Sequence, residues 1–512
     1  MARDDQTRVP LLTYPRPRVQ SPARHRRIQD LILHPIPWAV FALMLGVFFG
    51  YQTTGFVQRY TKLFMGLAFL FVAFRYPLYV GLGLFLVLYP FQTSISLGNT
   101  NQILIVLMAV AWMIRAGMGL EARPHRTWLD GAILAYLGAH LLSCVNLTTP
   151  EQLSQAAVYL GYMTIPILLY YILVHVCRSE RKLLVLSRMF TISILVSYIT
   201  AFQQRFAPNI PLVPHWYVTG QGAAGYFEGG HRIGGLLTEP LMADVAAIAC
   251  VHQIYMAART HAGRYWRILH LLLAACSVYA VSLTGNRGGL VGLVAGLFYF
   301  FWIFRKEISW KRAAVVLMVV MGVLTLGEST LGRFEGNVTL LARVAGSYLE
   351  RGLPDTRRSS WNYVWGRIQQ HVILGNGPYY SLESSRFGIR VWWPHNGFLF
   401  YLSTIGIVGL STYLFLLWKV VQRTWAGHGL AINRISLARG LTAVWHIAIV
   451  QFILGQLRTD HQRGDIYVIV MWALFGLGVL SRSIWEDEKR SPVRPVVPPR
   501  AVPPGTAAPQ AP

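Results

Sequence analysis

The sequence predicts an all-α polytopic transmembrane helical bundle of about 12–14 spans, with one long outer loop that contains amphipathic helices. Three observations lead to this fold class. Hydrophobic residues make up 54% of the 512 residues, and charged residues only 13%. Apolar runs of roughly 17–22 residues recur along the chain, and each is long enough to cross ~30 Å of hydrocarbon. Lys and Arg are concentrated in alternate loops, which predicts that both termini are cytoplasmic.

The parts of the chain follow in order. Residues 1–36 are basic and rich in proline, without the apolar core and cleavage site of a signal peptide, so we expect a cytoplasmic tail. Residues 37–327 are predicted to form the transmembrane bundle, 328–394 a large outer loop and 395–483 the C-terminal transmembrane helices. Residues 484–512 are rich in proline and are expected to be a disordered cytoplasmic tail. Apolar spans are expected near 38–54, 61–74, 77–93, 102–114, 128–145, 156–176, 189–204, 236–257, 267–284, 288–304, 313–327, 396–418, 440–457 and 466–482.

Neither the basic charge nor the cysteines indicate a separate function. The net charge is +25, but the basic residues lie between apolar runs, where they set membrane orientation, so nucleic-acid binding is rejected. The four cysteines form no CxxC pair and are interpreted as small buried hydrophobes. The sequence has no P-loop, dinucleotide fingerprint or HExxH motif, and no outward acidic cluster that would hold a divalent metal. We therefore expect no cofactor and no metal, and an anionic substrate would be held by arginine.

An arginine in a tight turn between two apolar spans is the sharpest anomaly. Arg287 lies in the turn 283–289, which faces outward by the span count. Glycines on both sides would let backbone N–H groups approach an anion closely. The guanidinium fork matches phosphate oxygens. The alternative is an interfacial arginine that reaches lipid headgroups.

A second cationic group lies in the outer loop, at Arg357 and Arg358. Four apolar residues follow at helical spacing: Trp361, Trp365, Ile368 and Val372. This pattern predicts an amphipathic helix on the outer membrane surface. Arg357 precedes Trp361 by four residues and shares a helix face with it, and Trp361 is a possible substrate contact. Spacing leaves open which arginine faces the site, and an ordinary interfacial helix is the alternative.

The outer loop ends at Pro394-His395-Asn396, where a hydrophobic helix begins. Proline is favoured in the first helical turn, so we expect His395 at the positive end of the helix dipole, which disfavours imidazolium. A neutral imidazole can take a proton from a hydroxyl. His395 is therefore a candidate general base, and Asn396 a candidate substrate contact. A histidine that caps a helix in the headgroup region is the alternative.

Weaker candidates lie near the same mouth. Glu239 begins a span at the outer face and Asp244 lies about one turn deeper, where carboxylates are often functional, although the helix dipole could equally make them structural. Arg232 is outward and is a possible substrate contact. Three histidines in or near spans are interpreted as helix–helix hydrogen bonders: His140, His252 and His446.

Together these segments resemble the bacterial O-antigen ligase and O-antigen and exopolysaccharide polymerase superfamily. The turn 284–289 is similar to the family's Ser/Thr-x-Arg-Gly turn, with one more residue before the arginine. The segment 357–361, followed by 371–377, is similar to its Arg-x-x-x-Trp and His-Pro-x-x-Gly-x-Gly motifs, with Val372 in place of the proline. The segment 395–399 is similar to its His-Asn-x-x-Leu helix start.

The resemblance implies an integral glycosyltransferase of the bacterial inner membrane, with its active site in the periplasm. The donor would be an undecaprenyl-diphosphate-linked glycan, and the acceptor a glycan or lipid A-core. Arg287 and either Arg357 or Arg358 would hold the diphosphate. His395 would deprotonate the acceptor hydroxyl, which attacks the anomeric carbon with inversion. The long outer loop would cover the site.

Several functions remain open at this stage. Glu239 lies in a Thr-Glu-Pro variant that is more like exopolysaccharide polymerases, which favours polymerase over ligase. A protein O-oligosaccharyltransferase would use the same donor. A non-enzymatic flippase or transporter would favour internal repeats and broken helices near the midplane, and the sequence predicts neither.

Overall fold

The structure, a computed structural model, describes residues 69, 71–90, 94–95, 98–207, 233–237, 239–259, 263–332, 355–378, 394–459 and 465–490. Apart from a two-residue antiparallel hairpin, β1 (Ser94–Ile95) and β2 (Gly98–Asn99), the regular elements of this part are helices. The α-helices are, in chain order, α1 (Leu78–Leu88), α2 (Thr100–Gly117), α3 (Asp130–Ser143), α4 (Pro150–Val176), α5 (Glu180–Phe206), α6 (Glu239–Ala258), α7 (Arg264–Leu283), α8 (Arg287–Ile303), α9 (Trp310–Gly332), α10 (Asp355–Gln370), α11 (Gly397–Thr424), α12 (Leu437–Gln456) and α13 (Asp465–Arg490).

The predicted all-α polytopic bundle is confirmed. Within the described residues, nine helices are long and apolar enough to cross a membrane, namely α2, α4, α5, α6, α7, α9, α11, α12 and α13. Two shorter apolar helices, α1 and α8, accompany them. The two spans expected before residue 75 lie almost wholly outside the described residues, so the count of about 12–14 remains a prediction.

Burial separates central from peripheral helices. In α6, 89% of the apolar window is buried inside the protein, whereas in α9 the share is 28%. Small residues make the burial of α6 possible, because alanines at 243, 246, 247 and 249 let neighbouring helices approach its backbone. The helix that carries Glu239 and Asp244 therefore lies at the centre of the bundle.

Polar caps set the helix starts. The hydroxyl of Thr149 accepts from the backbone N–H of Gln152 at 3.2 Å, and the Gln152 side chain accepts from the backbone N–H of Thr149 at 3.3 Å. This capping box, with Pro150 as the first helical residue, fixes the start of α4. The side chains of Ser179 and Ser436 cap α5 and α12 by accepting from the backbone N–H groups of Lys182 and Arg439.

The last helix is longer than predicted. α13 continues to Arg490, and Glu486 accepts hydrogen bonds from both terminal nitrogens of Arg423 at 2.8 and 2.7 Å. This ion pair ties the extension to the end of α11. The expected disordered tail is therefore wrong for 484–490, whereas 491–512 lie outside the described residues.

The predicted helix is present as α10, but its buried residues are only in part the expected ones, and its place on the outer membrane surface stays a prediction. Ser360, Val364 and Ile368 are four residues apart and are buried in the protein. Trp365 was expected on the apolar face but is 53% exposed, and Val372 lies beyond the end of the helix and is also exposed. Contact with α11, rather than side-chain hydrophobicity, decides which face of α10 is covered.

Two of the three histidines connect helices as predicted. They bond to side chains of neighbouring helices: His252 to Ser187 at 2.7 Å, and His446 to Thr424 at 2.9 Å and Tyr299 at 2.8 Å. The prediction is wrong for His140, whose Nδ1 lies 2.9 Å from the carbonyl oxygen of Tyr136 in its own helix. Spacing of four residues makes this local bond available to any helical histidine.

Candidate active site

A break in α11 joins the segment 371–378, which follows α10, to the bundle. At Gly406 the backbone has φ 65° and ψ −170°, which is not helical. The backbone groups freed by this break bond to the segment in two pairs: Asn376 N and Gly377 N donate to Ser403 O and Thr404 O at 3.0 and 2.9 Å, and Ile407 N and Val408 N donate to Val372 O and Ile373 O at 2.9 and 3.2 Å. A broken helix was not expected from the sequence, and the loop backbone satisfies the groups it exposes.

Two glycines permit this close approach. A Cβ atom on Gly375 would lie 2.3 Å from the carbonyl oxygen of Thr404, and one on Gly406 would lie 2.2 Å from that of Ile373. Both glycines have positive φ. The side chain of Asn376 adds a donor to Ser403 O at 2.9 Å. Gly375 of the motif at 371–377 and Gly406 of α11 are therefore both required by the close contact between the two backbones.

The helix α10 is joined to the segment that precedes α11. Nε1 of Trp361 donates to the carbonyl oxygen of Pro394 at 2.8 Å. The structure thus brings the two predicted segments together, because Pro394, which accepts the bond from Trp361, directly precedes His395. The helix that carries Arg357 and Arg358 is in this way fixed relative to the histidine; the side chains of these two arginines are outside the described part.

His395 precedes the helix cap instead of lying in the first turn. α11 begins at Gly397, and the side chain of Asn396 caps it by accepting from the backbone N–H groups of Phe398 and Leu399 at 3.0 and 3.1 Å. The expectation that Pro394 starts the helix is therefore wrong. The cap also gives Asn396 a structural role; a contact with substrate remains a prediction.

The backbone of His395 is strained and its side chain is exposed. Its φ of 47° lies in the left-handed region, where a non-glycine residue is uncommon and costs of order 1–3 kcal/mol. Bonds on both sides hold this conformation, since Pro394 O accepts from Trp361 and Nδ2 of Asn396 donates to Leu457 O at 3.0 Å. His395 is therefore an exposed residue on a backbone that is held on both sides.

The arginine turn is built around an asparagine. α7 ends at Leu283, and Asn286 caps α8 by accepting from the N–H groups of Gly288 and Gly289 at 3.1 and 3.2 Å. Arg287 is the first residue of α8 and is half-buried. The prediction that the glycine N–H groups would face an anion is wrong, because the cap already uses them. Anion binding at this turn would therefore depend on the guanidinium.

Arg458 is a residue of this region that the sequence analysis missed. It follows the end of α12, and its guanidinium donates to Oδ1 of Asn286 and pairs with Oδ1 of Asp244. By the span count it lies in an outward turn, where arginine is unexpected. The same signal that singled out Arg287 would therefore have identified it.

These contacts connect the two halves of the predicted site. Arg458 bonds to the cap of the Arg287 helix, and the preceding Leu457 accepts from Asn396, the neighbour of His395. The turn that contains Arg287 and the loop that contains His395 are therefore bonded to adjacent residues of a third segment, Arg458 and Leu457. Glu239 starts α6, the helix that also carries Asp244, whereas Arg232 lies outside the described residues.

Among the described helices, those that carry Glu239, Arg287 and the cap next to His395 begin at one end of the bundle, which we call the site end: α6, α8 and α11. The ends of α7 and α12 also lie here, because Leu283 O accepts from Ile233 N and Leu457 O accepts from Asn396. Helix starts carry the positive end of the macrodipole and favour anions. In the part of the chain that the structure describes, three or more His, Cys, Asp or Glu side chains do not cluster as metal ligands would.

The described residues form a multi-pass helical bundle with arginine and histidine residues at one end. The family model described as O-antigen ligase matches residues 272–414, less than half of the chain. This match confirms the resemblance to the O-antigen ligase and polymerase superfamily and indicates an O-antigen ligase-type membrane glycosyltransferase. No curated protein matches the sequence. The matched range extends from α7 into α11 and includes both the Arg287 turn and the His395 loop.

Proposed function

We propose that this protein transfers a glycan from an undecaprenyl-diphosphate-linked donor to an acceptor hydroxyl at the site end of the bundle. The site end would face the periplasm, the chain would lie in the bacterial inner membrane, and both termini would be cytoplasmic. The contact of Arg458 with Asn286, next to that of Leu457 with Asn396, carries the proposal. It brings a candidate diphosphate ligand and a candidate base into one region.

The donor half of the reaction is electrostatic. Arg287, together with Arg357 or Arg358, would hold the diphosphate, and the starts of α6, α8 and α11 add a positive potential. Negative charge grows on the diphosphate as its bond to the anomeric carbon breaks. Fixed donors aimed at developing charge are worth about 3–4 kcal/mol each in other enzymes. A diphosphate is already a good leaving group, so no protein acid is required.

The acceptor half requires a base on the opposite face of the sugar. His395 would take the proton of the acceptor hydroxyl as the oxygen attacks the anomeric carbon, and the diphosphate would leave on the other side with its bonding electrons. This in-line displacement inverts the anomeric configuration. The strained, fixed backbone of His395 suits the role, because a base contributes only when it is positioned at the reacting proton.

The acceptor distinguishes three related activities. We favour an O-antigen or exopolysaccharide polymerase over an O-antigen ligase, on the Thr-Glu-Pro variant that contains Glu239. A protein O-oligosaccharyltransferase would use the same donor chemistry. A strain that lacks the protein would accumulate single repeat units if it is a polymerase, full-length polymer not attached to lipid A-core if it is a ligase, and unmodified Ser or Thr acceptors in the third case.

A transporter is the non-enzymatic alternative, and the broken helix α11 bears on it. In transporters, unwound backbone near the midplane coordinates the cargo. Here the groups freed at Gly406 bond to the backbone of 372–377 instead. The break therefore holds the loop to the bundle, which supports a fixed active site over a transport pathway.

Turnover by the purified protein in nanodiscs, with a polyprenyl-diphosphate oligosaccharide as donor, tests the proposal. We expect His395→Ala and Arg287→Ala each to lower kcat/KM by about 10²-fold or more. Arg264→Ala and His428→Ala are matched controls, since both residues are exposed away from the site end and should leave turnover unchanged. Full turnover of His395→Ala, or loss of wild-type activity on chelation of divalent metals, would refute the mechanism.

A further inference from the structure

Arg458 lies at the site end but has no part in the mechanism above. It follows α12, two residues past its last residue Gln456, and lies outside the range 272–414 of the family match. Its backbone N–H donates to Gly455 O at 3.2 Å, so the helix end continues in a tight turn up to this residue. The side chain then crosses from α12 to α6 and α8.

The guanidinium is held by two partners on different helices. One terminal nitrogen donates to Oδ1 of Asn286 and the other pairs with Oδ1 of Asp244. The Asp244 side chain is only 5% exposed and that of Arg458 18%, so the pair is largely removed from solvent. A planar fork can reach two acceptors at once in fixed geometry, which a lysine ammonium on a flexible stem does not reproduce.

The backbone of α8 is shaped to accept this side chain. A Cβ atom on Gly288 would lie 1.7 Å from Cδ, 1.9 Å from Nε and 2.3 Å from Cζ of Arg458. The arginine therefore lies directly against the backbone of the residue that follows Arg287. Gly289 likewise lies against Ala243, where a Cβ would approach the alanine methyl group to 2.6 Å. The start of α8 is thus fixed between α6 and Arg458.

The same turn holds the His395 loop. Leu457 O accepts from Nδ2 of Asn396 at 3.0 Å, and Asn396 is the cap of α11. Both helix caps of the site, Asn286 and Asn396, are therefore bonded to the two-residue stretch at 457–458. One is held through a side chain and the other through a backbone carbonyl.

We propose that Arg458 is a positioning residue that sets the distance and orientation between Arg287 and His395. It acts through the Asn286 cap and does not touch the reacting atoms, and Asp244 neutralises its charge so that the diphosphate is left to Arg287. The inference deepens the proposed function and rests on it for its effect on turnover. Its effect on backbone order does not depend on that function.

The test combines hydrogen exchange with kinetics on the full-length protein in nanodiscs. In Arg458→Gln we expect the amides of Gly288 and Gly289 to exchange about tenfold faster, because the cap loses its charge-assisted bond. We expect kcat to fall by about 10²-fold, with a smaller change in the KM for donor, as misplacement of a reacting group predicts. Combining Arg458→Gln with Arg287→Ala should cost little more than Arg287→Ala alone.

Two further variants keep the test decisive. Arg458→Lys retains a positive charge beside Asp244 and should fold, yet it should show an intermediate loss of kcat because it cannot reach both acceptors. Arg434→Gln is the control, since Arg434 is exposed at the opposite end of α12.

The outcomes separate this inference from the proposed function. Unchanged exchange at 288–289 in both Arg458 variants would overturn the positioning role, whatever the activity. Losses that multiply in the double variant would also overturn it, because Arg458 would then act independently of Arg287. If exchange rises as expected but Arg287→Ala and His395→Ala proteins are fully active, the positioning role stands and the proposed function fails.

Discussion

Replacing Gly406 by alanine should separate the segment 371–378 from α11 without unfolding the bundle. The new Cβ would lie 2.2 Å from the carbonyl oxygen of Ile373 and 2.5 Å from the backbone nitrogen of Gly375. Both are backbone atoms that no rotamer change can move. The φ of 65° and ψ of −170° also place Gly406 in a region that is essentially restricted to glycine.

The size of the effect follows from the backbone strain and the overpacking that alanine introduces, compared with the hydrogen bonds that hold the segment in place. The backbone conformation costs an alanine of order 1–3 kcal/mol, and overpacking adds typically ~1–3 kcal/mol. Four backbone hydrogen bonds hold the segment to the break, each worth about 0.5–1.5 kcal/mol net. Cost and gain are thus both about 2–6 kcal/mol. The Asn376 side chain adds one more bond to Ser403 O. The substitution should therefore loosen the segment, which directly follows α10, and weaken the contact between α10 and α11.

Hydrogen-exchange mass spectrometry on the purified protein measures this directly. The amides at 376–377 and 407–408 should lose protection, while those of α6 and α12 keep it, and turnover should fall as the loop loosens. Gly366→Ala is the matched control. Gly366 is an exposed helical glycine of α10 with open space around it, so alanine there should be neutral or stabilise by about 0.5–1 kcal/mol. Unchanged protection and turnover in Gly406→Ala would refute the reasoning.

Three further predictions, two of them with a paired substitution for comparison, test contacts of the site and the core. Trp361→Phe removes one hydrogen bond and should destabilise the loop before α11 by about 0.5–1.5 kcal/mol and lower turnover, whereas Trp365→Phe, at an exposed position, should do neither. Asn396→Asp keeps the cap acceptor but loses the amide donor at 3.0 Å, so its kcat should fall with little change in melting temperature. Tyr159→Phe should be neutral or stabilising, because its buried hydroxyl has no protein partner among the described residues, whereas Tyr136→Phe should cost about 1–3 kcal/mol because the bond at 2.7 Å is lost.

Each of these has a contrary result. Equal effects of the two tryptophan substitutions on loop exchange would show that the indole bond does not hold the loop. Wild-type kcat in Asn396→Asp would mean that the link to 457–458 has no influence on the base. A Tyr159→Phe protein that melts well below wild type would show that the hydroxyl is satisfied after all.

Hydropathy predicted the fold class and the main helices. A membrane leaves few backbone solutions, so a long apolar run with few charges is a sufficient signal for a spanning helix. The starts of α8 and α11 were expected within one or two residues of where they lie. The buried face of α10 was not predictable, because a tryptophan can be covered by protein or left exposed, and only packing against α11 selects between them.

The candidate site was predicted in part. Arg287 and His395 stood out because each occupies a boundary where packing does not require its residue type. Arg458 did not stand out, although the span count puts it in an outward turn like that of Arg287. The roles of Asn286 and Asn396 as caps also became visible only in three dimensions, since a cap is defined by hydrogen bonds to the next residues and not by sequence alone.

The sequence by itself determined that the chain is a multi-pass helical bundle, because length and hydrophobicity decide membrane insertion segment by segment. It also singled out candidate residues for chemistry, since a charge at the predicted outer end of a span has few structural reasons. Only the tertiary structure showed that the turn of Arg287 and the loop of His395 are both bonded to residues 457–458. This connection, the break at Gly406 and the paired glycine backbones are all contacts between segments distant along the chain, and the turn at 457–458 is more than 150 residues from Arg287.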